Sequence, residues 1–444
     1  MDYHNPALHD ATKSYVIAAI NLIREQALTE SNQNDLDDQS FFFAKLAASD
    51  RLRDLSEYKH CLQTLTADGT FSNQLRVVAG PRGGPRSESA DANGLMLQFV
   101  DLGLHPGQLT FNEALFEREY ADLEKAYYDS GIEFNALAPL NGFLPSGPIC
   151  LSDGIEIIEL QEEEIAPATN QRNSRSSADA WSEKPYAVSI KYSLPKAIGQ
   201  AHVFTPQHRQ ADDVIRTAVN EQIAEVVTAL RLCGIESVYV AGVLHKTSKW
   251  SMGQSRPFPG QFQPEIRFSM PVDSEWLQRF AEFWKTLQAD GVKKRKFLVT
   301  AIRRFGYAHE RYRTEDKIID LLIAAEALLL SDSSYTGELK YRLSQRTALF
   351  LAATSDDRRI IFNRMGVAYD LRSAVAHGGN YKKQLPKKNN GIAFAIEEFV
   401  WQIHEYVRWA ILEALKLAEL PDAPFELVKW DELLFPKPEV KSIE

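Results

Sequence analysis

Cysteine is scarce in this chain. Cys61, Cys150 and Cys233 are the three in 444 residues, scattered and without a CxxC pair. That excludes a disulfide framework and a cysteine-based metal site, and reduced thiols in a cytoplasmic protein are expected. Long apolar runs are missing as well. No stretch reaches the roughly 18 to 20 apolar residues of a membrane span, so no membrane partner is expected. Met1 to Ala18 has no basic region followed by an apolar core, and no secretory leader is expected. An excess of positive charge is also absent: 50 Lys and Arg stand against 60 Asp and Glu, a net charge of −10. A wholly basic nucleic-acid coat is excluded, while a local basic surface is not.

What is present is an ordinary globular balance, 44% hydrophobic and 25% charged, in a chain long enough for two or three domains. Apolar positions at Tyr15, Ile17, Ile20 and Ile23 predict an amphipathic helix over Pro6–Glu25. Residues 26–40 are polar and read as a linker, and Phe41–Leu65 reads as helix. Gly80-Pro81-Arg82-Gly83-Gly84-Pro85-Arg86 has the glycines of a phosphate cradle. No Lys-Ser/Thr follows and no helix opens directly after it, so it reads as a flexible connection. Leu95–Val100 suggests a strand and Phe111–Tyr128 a helix. Ile149–Ile158 has the pattern of a β-hairpin turning at Asp153-Gly154. Residues 167–183 read as a loop, Tyr186–Tyr192 as a strand and Asp212–Cys233 as a helix. Ser237–Val243 and Pro264–Met270 read as further strands.

From Ser274 onward helical patterns take over, at about 274–290, 292–331, 336–354, 356–377 and 390–419. The expected fold class is α+β. A mixed α/β N-terminal region, residues 1–270, would sense or regulate. An all-helical bundle, residues 271–420, would follow, with a tail at 421–444.

The chemistry-bearing residues fall in the helical region. Ile318–Leu330 is apolar nearly all round, as a central helix should be, and is broken by Asp320 and Glu326. Carboxylates there need cations, and Arg346 and Arg372 are the candidates. Ile361, Met365, Ala368, Arg372 and Val375 share one helix face. Arg372 therefore sits on an apolar stripe, where a charge is costly unless paired. Gly378 fits the left-handed position after a helix end, which puts His377 in the last turn. There the helix dipole favours the protonated imidazole, and an imidazole charged near neutrality suits acid–base work. The plain alternative stands beside this: a His before a Gly can be a simple helix end, and Glu326 can orient an arginine for structure alone.

Two basic clusters could meet phosphate. Lys293–Arg313 carries eight Lys or Arg against one acid, Glu310, with Phe297, Phe305, Tyr307 and Tyr312 interleaved. A solvated helix face with core aromatics explains the same run. Lys382, Lys383, Lys387 and Lys388 lie in a loop just past His377, where a polyanion could be held. No metal-ligand spacing is seen, and no cofactor is expected.

Several pieces in order carry a family pattern: Arg304-Phe305 with Glu310-Arg311, Asp316 through Leu330, Leu339 through Ala348, and Tyr369-Asp370-Leu371-Arg372-Ser373 through His377-Gly378. On these, residues from about 295 to 415 resemble the HEPN superfamily, and most closely its Apea-like branch. The hairpin region 137–165 and the Ala229–Leu232 helix are similar to segments that precede this domain in Apea-like proteins. The resemblance implies a small helical domain that commonly dimerises. It implies that Arg and His of each protomer meet at the interface and cleave RNA without metal. The motif Arg carries over onto Arg372, the motif His onto His377, and the polar residue after the Arg onto Ser373. Many catalytic members have Asn, Asp or His there, so Ser373 departs from the pattern. Members act in anti-phage defence or as toxins, with phage-derived or antitoxin partners, and others have lost catalysis. The expected activity is thus an endoribonuclease on an RNA substrate, acting as a homodimer. The alternative is a non-catalytic module that binds RNA or a protein.

One geometric difficulty is visible in advance. A five-residue offset is about 500° of helix, so Arg372 and His377 project about 140° apart. They converge only through distortion at the helix end or across a two-fold seam.

Overall fold

A computed structural model describes residues 3–30, 48–72, 75–79, 85–89, 92–104, 110–161, 164, 185–195, 206–240, 242–248, 250, 258–259, 270–331, 338–387, 393–420 and 427–434. The fold is mixed α+β with a helical C-terminal region. Its helices are α1 Pro6–Glu30, α2 Ser49–Asp54, α3 Ser56–Ala67, α4 Gly69–Ser72, α5 Ala92–Phe99, α6 Glu113–Tyr128, α7 Pro206–Leu232, α8 Ser274–Gln288 and α9 Asp290–Lys293. They continue as α10 Lys296–Glu310, α11 Thr314–Leu329, α12 Leu339–Leu351, α13 Ser355–Ala376, α14 Ile396–Ala418 and α15 Trp430–Leu434. The strands are β1 Leu75–Ala79, β2 Pro85–Ser89, β3 Gly131–Asn141, β4 Phe143–Pro145, β5 Ile149–Ser152, β6 Ile155–Glu159, β7 Tyr186–Pro195, β8 Tyr239–Val240, β9 Gly242–Thr247, β10 Phe258–Pro259 and β11 Met270–Val272. The chain divides into two compact units. One is Met1–Ala136, Lys191–Val219 and Leu244–Phe258, and the other is Leu137–Ile190, Asn220–Val243 and Pro259–Glu444.

The first unit is built on α1. Tyr15, Ile20 and Ile23 are fully buried as the periodicity requires, whereas Ile17 lies on the exposed side. They join Leu52, Tyr58, Leu65, Phe99, Phe116 and Tyr120 in one core. Asn112 caps α6 by accepting from the Leu115 N–H at 3.0 Å. The stretch Leu95–Val100 is helical, not a strand. Leu95, Met96, Phe99 and Val100 are buried together. That i, i+1, i+4, i+5 set is one side of a helix, and packing against the aromatic core decided between two periods that so short a run cannot separate.

In the second unit β5 and β6 form the predicted antiparallel hairpin, with Gly154 at φ +75° in its turn. β6 pairs with β7 over Ile155↔Ile190 to Glu159↔Tyr186, β3 with β8, and β11 runs parallel to β4. The predicted strand Pro264–Met270 lies outside the described residues except for Met270, which opens β11. Residues 26–30 of the predicted 26–40 linker continue α1 as helix; the rest of that linker, the 167–183 loop and residues 80–84 of the Gly80–Arg86 loop also lie outside the described residues.

The helical region centres on α11. Ile318, Leu321, Leu322, Ala324, Ala325, Leu328 and Leu329 are all buried, and α10, α12, α13 and α14 pack around it. Burying each large side chain stabilises the unit by about 1.5–3 kcal/mol. The predicted helix 292–331 is in fact broken. α10 stops at Glu310, Arg311 is extended at φ −75°, ψ 129°, and α11 starts at Thr314. Glu315 and Asp316 occupy its first turn, where the dipole favours negative charge. Arg311-Tyr312-Arg313 contains neither Gly nor Pro, so no local signal marks the break. Thr354 caps α13, accepting from the Asp357 N–H at 3.1 Å. Among the described residues no helix is long and apolar enough to cross a membrane.

Candidate functional site

α13 buries Ile361, Met365, Ala368 and Leu371, which fixes the rotation of the helix. Arg372 then falls at the edge of the buried face, with its side chain 28% exposed. Its Nη1 donates to Glu326 Oε1 on α11 at 3.0 Å. Its guanidinium also lies 5.7 Å from the centre of the Tyr369 ring, one turn back. Glu326 is itself 23% exposed, so the pair is partly dried. Burial pushes the Glu326 carboxyl up, and the Arg372 charge pulls it the other way. Of the two arginines proposed for the central acids, Arg372 is the partner of Glu326. Arg346 donates instead to the Leu329 carbonyl at 2.7 Å and stacks 4.8 Å from the Trp430 ring centre.

Asp320 takes neither proposed arginine, and this corrects the sequence reading. It is 1% exposed and accepts from Arg304 Nη1 at 2.9 Å and from Arg311 Nε at 2.6 Å. Both donors come from the segment just before α11, which the helix break folds back onto it. The basic run Lys293–Arg313 is largely spent on such contacts. Lys293 pairs with Glu225 at 3.0 Å and Lys294 with Asp290 at 2.7 Å. Phe305 is wholly buried and offers no ring for stacking, while Tyr312 is exposed.

The end of α13 has full Schellman geometry. The Gly379 N–H donates to the Ala374 carbonyl at 2.7 Å and the Gly378 N–H to the Val375 carbonyl at 3.2 Å. Gly378 has φ +68°, as the residue pattern requires. His377 is the last residue before this reversal and is exposed. Its N–H still donates to the Ser373 carbonyl at 3.1 Å, so the helix is regular from Arg372 through His377. Ser373 is exposed beside Arg372. Among the described residues, no hydrogen bond or ion pair joins Arg372 to His377.

Past the two glycines a 3-10 turn, Tyr381–Gln384, lies against α13 and exposes Lys382 and Lys383. Lys387 is exposed next to it, in an isolated bridge with Ala393. Lys388 lies outside the described residues. The structure therefore places a half-buried, paired arginine, an exposed histidine and three exposed lysines at one end of α13. A comparison with models of known families, with curated proteins and with solved structures finds no match for this chain.

Proposed function

We propose that this chain is a HEPN-type, metal-independent endoribonuclease that works as a homodimer, in anti-phage defence or as a toxin. The observation that carries the reading is the end of α13. There an arginine held by a carboxylate, an exposed helix-terminal histidine and a lysine-bearing turn follow one another within 16 residues, from Arg372 to Lys387.

RNA brings its own nucleophile. The 2′-oxygen attacks the adjacent phosphorus, the bond to the 5′-oxygen breaks, and a 2′,3′-cyclic phosphate and a 5′-hydroxyl result. The reaction needs a group to move protons and a cation for the phosphorane charge. His377, at the negative end of the helix dipole, suits the first task. Arg372 suits the second: one of its five N–H donors is engaged with Glu326, and the fork fits phosphate oxygens. Lys382, Lys383 and Lys387 would hold the backbone. The regular helix between Arg372 and His377 gives no distortion that would bring them together. The reading therefore leans on a two-fold seam in which the arginine of one protomer meets the histidine of its partner.

The test is cleavage of mixed RNA in EDTA by the wild type and by His377→Ala. The wild type should leave 2′,3′-cyclic ends, and the variant should cleave about 10²–10⁴-fold more slowly with an unchanged fold. Undiminished cleavage by the variant removes His377 from the reaction. The Arg372–Glu326 pair also favours a second reading, a non-catalytic HEPN module in which that contact is structural. It predicts dimerisation and RNA or protein binding without cleavage.

A further inference from the structure

A second cluster lies away from the α13 end, where α14 meets the turn after α7. His404 and Glu405 sit on α14, and both are buried. Glu236 sits in the turn between α7 and β8. Arg231 holds that turn in place. It is buried and donates to the Val238 carbonyl through Nε at 3.3 Å and Nη2 at 3.1 Å. Arg408 ties α14 to the same place, donating to the Leu232 carbonyl at 2.9 Å. The two elements are thus clamped on both sides of the cluster.

His404 Nδ1 points at two carboxylates, Glu405 Oε1 at 3.3 Å and Glu236 Oε1 at 3.9 Å. It makes no hydrogen bond in that direction, although the residue is only 7% exposed. A buried ring nitrogen that faces two carboxylates without hydrogen-bond geometry to either is uncommon. One ligand atom from each of Glu236, His404 and Glu405 can be chosen so that all lie within 4.8 Å of one another. Metal–ligand bonds of about 2.0–2.2 Å put tetrahedral neighbours roughly 3.4 Å apart, so the 3.3 Å between His404 Nδ1 and Glu405 Oε1 already fits and the exposed Glu236 side chain would close in on the ion.

The other ring nitrogen completes the pattern. His404 Nε2 is 3.0 Å from His309 Nε2 on α10. One of these nitrogens must carry the proton. If it is His404 Nε2, the Nδ1 presents a lone pair to two anions, which is unfavourable without a cation between them. This is the tautomer a metal ligand takes, with its other N–H donated outward to a fixed acceptor.

We propose that Glu236, His404 Nδ1 and Glu405 bind a divalent first-row transition cation of the zinc class, with water completing the shell. Arg408 does not close the site. Its Nε and Nη2 each donate to one Glu405 oxygen at 3.0 Å, and a carboxylate oxygen has a second lone pair to give. Arg408 on Glu405 and Lys317 near Glu236 do decide which cation fits. They offset the two carboxylates, so a hard cation that depends on charge and many oxygens is disfavoured. An ion that gains from an imidazole nitrogen is favoured. The ion would pin α14 to the α7 turn and is no part of the RNA chemistry above.

The full-length chain is stripped with EDTA, desalted and titrated with Zn²⁺ by calorimetry, with Mg²⁺ and Ca²⁺ as comparisons. Crystals soaked in Zn²⁺ are examined at the zinc absorption edge. The site predicts one saturable Zn²⁺ per chain and anomalous density between Glu236 and His404. It also predicts at least tenfold weaker binding in Glu236→Gln and loss of binding in His404→Gln. Glu236 is exposed, so its variant keeps the fold even if the buried His404 change unfolds the chain, and it decides the matter alone. Zn²⁺ binding that is unchanged in Glu236→Gln, density only at surface histidines such as His377, or equal binding of Mg²⁺ overturns the proposal.

Discussion

Asp320 offers the sharpest test of how the helical region is held. Asp320→Asn keeps the shape and removes the charge that Arg304 and Arg311 share. Each charge-assisted hydrogen bond is worth about 1.5–3 kcal/mol. The lower end applies, because the Arg304 and Arg311 side chains are 34% and 49% exposed and regain water when released. The carboxylate side, by contrast, is dry. The expected loss is about 3 kcal/mol, which is roughly a hundredfold in the opening equilibrium of α10 and α11. Hydrogen exchange over residues 296–329 reads that locally, without assuming that the two units unfold together. Urea denaturation followed by circular dichroism gives the global counterpart. Removing either arginine alone should cost about half as much, and removing it in the Asp320→Asn background should add little. A change in protection of less than threefold in Asp320→Asn would refute the reasoning and reduce the two contacts to surface decoration.

Two further outcomes follow from packing and from charge. A methyl group at Gly306 would collide with Thr228 Oγ1, so Gly306→Ala should destabilise by about 1–3 kcal/mol in urea titration. Thr228→Ala in the same chain should recover most of that loss. His245 is buried, accepts from or donates to the Tyr192 hydroxyl at 2.8 Å, and is pushed down to about 4 by burial and by Arg216. Its ordinary value is near 6.5, so between pH 6.5 and 4 the unfolded chain binds the proton first. Stability should therefore fall as pH drops through that window, by up to about 3 kcal/mol at its acid end. His245→Gln should flatten that slope in urea midpoints measured against pH.

Much of the second unit was legible because its signals are local. Asp153-Gly154 between two apolar runs specifies a hairpin wherever it occurs. Gly378 announces a helix end, and an arginine on an apolar stripe announces that a carboxylate is near. Glu326 followed from that logic. The partners of Asp320 did not, because they depend on a chain reversal at Arg311–Arg313 that no glycine or proline marks. Nor did the His404 cluster. His404-Glu405 interrupts the buried run Phe399, Val400, Ile403, Tyr406 and Val407 of α14, and that interruption was the available signal. Its counterpart Glu236 is about 170 positions earlier, and only the tertiary fold brings them together.

The two acids of α11 have a mechanical consequence. Six residues are about 600° of helix, so Asp320 and Glu326 leave the axis some 120° apart and about 9 Å from each other along it. One is gripped by Arg304 and Arg311, the other by Arg372. A torque that rolled α11 in either sense would stretch at least one grip. The helix is keyed like a shaft with two offset pins, and Arg372 inherits an angular setting that apolar packing alone would leave loose.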